Sequence, residues 1–172
     1  MFLFVGLGNP GCNYAMNRHN VGFMAVDLLA CSRDFPAWQR KAASLQTIGK
    51  IDESKIILLK PQSYMNKSGL PVAELARFHQ IPENNIFVFH DELDLAAGRV
   101  RVKHGGGHGG HNGLRDIDRH IGQNYWRIRI GIGRPTNPAM DVKSWVLADF
   151  TKTETSGWVT DLLRAISDEV PR

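Results

Sequence analysis

Three runs of four apolar residues constrain this chain most: FLFV at Phe2–Val5, IILL at Ile56–Leu59 and IFVF at Ile86–Phe89. Each reads as a buried strand, and each is followed by a loop carrying glycine, proline, asparagine or aspartate. Helical spacing fills the intervals. Val21, Met24, Ala25, Leu28 and Leu29 mark a helix over Val21–Cys31, and Leu70–His79 reads as a second, with Pro71 near its first turn. Beyond Phe89 the strand pattern becomes alternating. Val100 and Val102 sit between Arg99, Arg101 and Lys103, and Trp126, Ile128, Ile130 and Ile132 alternate with Arg127 and Arg129. Leu114, Ile117 and Ile121, then Trp158, Leu162 and Ala165, mark two further helices. Strands interleaved with helices predict an α/β layered fold. At 172 residues, without internal repeats or a disordered linker, the chain is expected to be one domain over residues 1–172.

No apolar run is long enough to span a bilayer. The N-terminus lacks a basic n-region and a small-residue cleavage site, so no signal peptide is expected. Cys12 and Cys31 are too few for a disulfide scaffold and read as reduced thiols of a cytoplasmic protein. The net charge is +4. It is concentrated between Arg99 and Arg134, where eight Lys or Arg face only Asp116 and Asp118, with four histidines in the same window. Such a window suits an anionic partner such as a phosphate backbone; a solvated basic face is the plainer alternative.

Gly6, Gly8 and Gly11 follow the first strand in the dinucleotide-binding spacing G-x-G-x-x-G. The context does not fit. Pro10 removes a backbone donor, the helical pattern begins only near Asn20, and Lys60-Pro61 stands where a ribose-binding acid would end the second strand. The loop reads instead as a bend at a strand's carboxyl end, presenting Asn9 and, further on, His19. In HDELDL, Asp91 also falls at a strand's carboxyl end. It could orient a histidine on a neighbouring loop, although Asp there is also ordinary turn chemistry. Glu92 and Asp94 are expected to be solvated or helix-terminal.

GGGHGGHNG at Gly105–Gly113 implies unusual backbone angles or close approach by a ligand, with Asn112 and Gly113 opening a helix whose N–H groups are free for an anion or carbonyl oxygen. His104, His108 and His111 invite a zinc reading, but a glycine-rich coil does not make ligands converge. SYMNKSG adds Asn66 in the loop after the second strand, with Ser68 as a possible helix cap. Asn9, His19, Asn66, Asp91 and Asn112 thus lie on loops that can meet on one rim.

Five ordered stretches, VGLGNPGCNYAMNRHNVG, PQSYMNKSG, HDELDL, GGGHGGHNGLRDI and RIRIGIGRP, resemble the bacterial peptidyl-tRNA hydrolases from residue 5 to residue 135. Two positions depart from the family pattern: Asn17 replaces a usual threonine, and Tyr64 a frequent phenylalanine. The chain stops at Pro171-Arg172, earlier than is usual, so part of the last helix or tail is expected to be absent. The resemblance implies a three-layer α/β/α sandwich around a twisted mixed β-sheet, monomeric, without metal or cofactor. It implies hydrolysis of the ester between a peptide and the terminal ribose of tRNA, recycling tRNA from stalled translation.

No G-x-S-x-G elbow is present, and the family motif requires no cysteine at Cys12, which leaves water as nucleophile. His19 is then the expected general base, oriented by Asp91. By resemblance, Asn9 and Asn66 hold the peptidyl part with Met65 and Tyr14 beside it. Asn112 positions the water or the tRNA end, and Asn9 or Asn112 is the oxyanion donor. Lys103 and Arg129 are the expected phosphate ligands on a basic shelf. The shelf combines Arg99, Arg101 and Lys103 on one strand with Arg127 and Arg129 on a neighbour. A zinc hydrolase and a non-catalytic RNA-binding module are the rival readings.

Overall fold

A computed structural model describes residues 1–169; the early stop at Pro171-Arg172 lies outside them. Seven strands form one sheet in the order β2-β3-β4-β1-β5-β7-β6. The three apolar runs are its centre. β1 (Phe2–Gly6) lies parallel to both β4 (Ser54–Pro61) and β5 (Ile86–Glu92), and β5 pairs in parallel with β7 (Trp126–Gly131). Both edges reverse: β3 (Ser44–Ile51) runs antiparallel to β4, β2 (Gln39–Lys41) to β3, and β6 (Val100–His104) to β7.

Side chains alternate across a strand, so each central strand feeds two cores. On one face Phe4, Ile56, Leu58, Phe89 and Ile128 pack with Val26 and Leu29 of α1 (Val21–Ser32). On the other, Leu3, Val5, Ile57, Leu59 and Val88 pack with Val72 and Leu75 of α2 (Gly69–Phe78) and with Leu114 and Ile117 of α3 (Asn112–Ile121). After β7 come α4 (Val142–Val146), α5 (Lys152–Glu154) and α6 (Thr160–Glu169). Leu163 and Ile166 of α6 join the α1 core, giving the three layers.

Glycines set how closely α1 approaches the sheet. A Cβ at Gly22 would stand 2.3 Å from the Phe89 carbonyl oxygen and 2.6 Å from the Leu7 nitrogen. One at Gly6 would stand 2.4 Å from the Gly22 carbonyl oxygen, and one at Gly8 2.7 Å from the Phe23 ring. The glycine spacing after β1 therefore serves helix-to-strand packing, and it brings the turn before α1 over the end of β5.

Three local readings change. β2 and β3 fall in a segment that gave no strand signal, because β2 is wholly exposed and β3 is largely polar. Ser68 precedes α2 but does not cap it: its backbone is already helical and its hydroxyl donates to the Met65 carbonyl at 2.7 Å. Arg127 is not on a basic shelf. β6 and β7 are neighbours, with Lys103 opposite Arg127 and Arg101 opposite Arg129, but the Arg127 side chain is 2 % exposed and turned inward under α3. It is caught there by Asp118 and by carbonyls of the glycine run.

Candidate active site

The carboxyl ends of β1, β4 and β5 point to one side of the sheet, where α/β folds place their sites. The loops there, the start of α3 and the wall of α4 enclose a cavity of about 630 Å³. Asn9, His19, Met65, Asn66, Asp91 and Asn112 all line it. Tyr14 meets it at second hand, its ring edge-on to that of the lining residue Tyr64 with centroids 6.3 Å apart. Lys103 and Arg129 lie outside it, on β6 and β7.

At its base sits a hydrogen-bonded triad. The Asp91 side chain, 2 % exposed, accepts from His19 Nδ1 at 2.8 Å through one oxygen and from His111 Nε2 at 2.7 Å through the other. An ionised carboxylate only accepts, so both imidazole atoms carry protons. His19 Nε2 then keeps its lone pair and makes no hydrogen bond among the described residues. Burial alone would push His19 down, but the charge of Asp91 and its hydrogen bond outweigh that and hold the imidazole pKa above its usual value. Burial likewise opposes the Asp91 charge, yet His19 and His111 together draw its carboxyl far below the ordinary carboxylate range. His90, fully buried beside His111, is pushed down to about 3, first by burial and then by that neighbour. It stays neutral and its Nδ1 bonds the Asp91 carbonyl at 2.8 Å.

His111 entered the sequence reading only as a zinc candidate; its bond to Asp91 was not foreseen. Its Nδ1 accepts from the backbone N–H groups of Gly113 at 3.1 Å and Leu114 at 3.3 Å, capping α3. Of the donors expected to be free for an anion there, those of Gly113 and Leu114 are therefore taken. The same cap fixes the tautomer that presents Nε2–H to Asp91. The signal was its place immediately before a helix start, where an acceptor belongs.

Asn9 is locked as well as placed. Its Oδ1 accepts from the Met65 N–H at 2.6 Å, and its own backbone exchanges two 2.9 Å bonds with the Asn20 side chain. The Asn9 NH₂ is left as the amide end without a partner among the described residues. Asn20 had not been singled out. Tyr64 takes φ 60° and ψ 157°, a strained conformation for a side-chain-bearing residue, immediately before the turn Met65–Lys67 that delivers Met65 and Asn66. The fourth wall, Val142, Val146 and Leu147 around α4, carried no sequence signal.

One further expectation is revised: Glu92 is paired, its Oε1 accepting from Arg129 Nε at 3.0 Å, while Asp94 is exposed and pairs with Arg134 at 2.7 Å on the surface. His104, His108 and His111 do not converge. The one group among the described residues with ligand-like spacing is His19, Asp91 and His111, whose donor atoms lie within 4.8 Å of one another. A cation there would have to displace the Nε2 proton of His111. Moving that proton to Nδ1 would break the cap on Gly113 and Leu114, so this donor set suits a proton-holding triad better than a metal.

Among the described residues no helix is long and apolar enough to cross a membrane. The family described as peptidyl-tRNA hydrolase matches residues 3–172. A peptidyl-tRNA hydrolase of Dinoroseobacter shibae is 52 % identical over 171 residues, 99 % of this chain and 72 % of that protein. One of Rhodospirillum centenum is 53 % identical over 171 residues, 99 % of this chain and 74 % of that protein. A crystal structure of peptidyl-tRNA hydrolase from Acinetobacter baumannii superposes with a TM-score of 0.89 at 43 % identity, covering 97 % of this chain and 85 % of that one.

Proposed function

Because this chain belongs to the peptidyl-tRNA hydrolase family, a family of hydrolases, we propose that it cleaves the ester joining a peptide to the 3′-terminal ribose of tRNA and so returns tRNA from stalled translation. The observation that carries this reading is the free Nε2 of His19, backed by Asp91, in a cavity rimmed by three asparagines. His19 Nε2 takes a proton from water as the oxygen attacks the ester carbonyl carbon. The negative charge moves to the carbonyl oxygen, where an asparagine NH₂ donates to it without adding charge beside phosphates. Asn9 is well suited, since its Oδ1 is committed to Met65 and its NH₂ is left over; Asn112, exposed at the first turn of α3, is the second candidate. The ester bond to the ribose oxygen then breaks, and that oxygen leaves with the proton held on the His19 imidazolium.

Met65, Asn66 and Tyr14 hold the peptidyl part. Asn112 also meets the water or the tRNA end. Lys103, exposed and without an ion pair among the described residues, and Arg129, bound to Glu92 through Nε alone, hold tRNA phosphates. The protein acts in the cytoplasm as a monomer, without metal, cofactor or membrane partner. A labelled N-acetyl-aminoacyl-tRNA in single turnover tests the reading: release of the N-acetyl-amino acid that survives a strong chelator is expected. His19→Ala should lower that rate by ~10²–10⁴-fold. No release by the wild type, or release unaffected by His19→Ala, refutes it.

A further inference from the structure

Gly105–Gly110 joins β6 to the residues of the triad, yet little packs against it. Among the described residues, a Cβ at Gly107, Gly109 or Gly110 would meet nothing within 4 Å, and Gly105, Gly106, Gly109 and Gly110 all have positive φ. Such a turn is not held by side-chain packing. Its first half is held by the Gly105 N–H, which donates to the Tyr125 carbonyl at 2.9 Å, and by Arg127. NH1 donates to the Gly107 carbonyl at 2.7 Å and NH2 to the Gly106 carbonyl at 2.8 Å, while NH2 also reaches Asp118 Oδ1 at 3.2 Å. The guanidinium lies 4.6 Å from the Tyr125 ring centroid, and Tyr125 donates its hydroxyl to the same Asp118 oxygen at 2.6 Å.

We propose that Arg127 is a positioning residue for hydrolysis: its buried fork brackets two glycine carbonyls and thereby sets the turn that rims the cavity and delivers His111 and Asn112. The inference rests on the hydrolase reading above. Three observations support it. The bracketed carbonyls lie immediately before His108, Gly109 and Gly110, which line the cavity, and His111 follows as partner of Asp91. A planar fork suits the arrangement, because its two terminal nitrogens reach two successive carbonyls side by side, whereas a lysine ammonium brings its three N–H groups to a single point. Arg127 Nε and Asp118 Oδ2 are buried without hydrogen-bond partners among the described residues. A buried charge so incompletely satisfied is a poor device for stability, and an apolar replacement of the pair is often tolerated; its place here is explained by what it holds. The turn also passes against the cation edge, since a Cβ at Gly106 would stand 2.8 Å from Lys103 Nζ. One arginine thus fixes the spacing between Lys103 and the triad.

Two variants test this. Arg127→Lys keeps the charge and loses the fork; Arg127→Met with Asp118→Asn removes both buried charges. Amide exchange across Gly105–His111 is compared with that of β5 and β7, melting is recorded, and kcat and KM are measured in single and multiple turnover. Exchange in the turn is expected to rise at least about tenfold with the sheet unchanged. The rate kcat should fall about tenfold or more, as for a displaced catalytic group, more in the double variant than in Arg127→Lys, in protein that is fully folded at the assay temperature. Unchanged turn exchange or unchanged kcat in a folded variant overturns the proposal. Exchange that rises uniformly, with activity tracking the folded fraction, or failure of both variants to fold, overturns it equally, because the arginine would then support the sheet and not the turn. A wild type inactive on peptidyl-tRNA would sink the hydrolase reading, while the exchange measurement would still report on the bracket.

Discussion

Replacing Asp91 by asparagine probes the triad with almost no change in volume. Asp91 makes two charge-assisted hydrogen bonds, at 2.8 Å to His19 and 2.7 Å to His111, from a side chain 2 % exposed. The bond to His19 matters to rate because it strengthens as the imidazole takes the proton of water. A hydrogen bond to a charged group contributes roughly 1.5–3 kcal/mol. With a tenfold change per ~1.4 kcal/mol, its loss in the transition state lowers kcat by about 10- to 150-fold. The pH dependence gives a second, independent sign. His19 must be neutral to act as base, so activity rises with pH through its folded pKa, which stands above the usual imidazole value. In Asp91→Asn the contributions that raise it vanish and burial, which lowers it, remains. The ascending limb should therefore move to lower pH while the plateau falls. The assay is single-turnover hydrolysis of N-acetyl-aminoacyl-tRNA between pH 5 and 9, with tRNA binding as control. A full-rate plateau, or a limb that stays put or moves upward, refutes the assignment of His19 as the base.

His111→Ala should act on the same limb in the opposite sense. With one donor fewer, the Asp91 carboxylate holds the His19 proton more strongly and the limb moves to higher pH; loss of the α3 cap should cost about 0.5–2 kcal/mol in denaturant melts. Lys103→Ala and Arg129→Ala should each reduce the log–log salt slope of tRNA binding by roughly 0.7–0.9, leaving hydrolysis of a short acylated substrate largely intact. Unchanged slopes would move the tRNA path elsewhere. Gly22→Ala should destabilise by about 1–3 kcal/mol or more, since its Cβ would stand 2.3 Å from the Phe89 carbonyl oxygen and backbone must shift to admit it; a melting temperature unaltered by the methyl would show that α1 is not packed as described.

The elements that were legible in the sequence are those whose pattern is made by burial. FLFV, IILL and IFVF are apolar because both faces are covered, and they became β1, β4 and β5. β2 and β3 were not legible because an edge hairpin buries little. Their turn also lacks a glycine signal, with Ala42 at φ 52°, and so does the turn from β3 to β4, with Asp52 at φ 54°, where Asn-Gly would announce a hairpin. Within the site, His19 and Asp91 could be placed because each follows an element of strong pattern. Arg127 was misread for a simpler reason. Alternation says that Arg127 and Arg129 share a face, and they do, but it cannot say that α3 covers one and not the other.

The glycines after β1 show how one spacing can serve two ends. In a dinucleotide fold the turn is tight so that a helix can begin inside it and aim its N–H groups at a pyrophosphate. Here the chain needs the same closeness between strand and helix, since a Cβ at Gly6 would stand 2.4 Å from the Gly22 carbonyl oxygen, but eleven residues from Asn9 to His19 intervene before α1 begins. That length lets Asn9 be pinned by Met65 and Asn20 at one end of the loop while His19 lands on Asp91 at the other. A helix starting at Gly11 would present backbone donors to a phosphate and could not carry an imidazole to the end of β5. The departure from the dinucleotide context, Pro10 and the late helix start, is thus the feature that makes room for a base. Closing that distance by deletion should abolish hydrolysis even where the two glycine contacts and the fold survive.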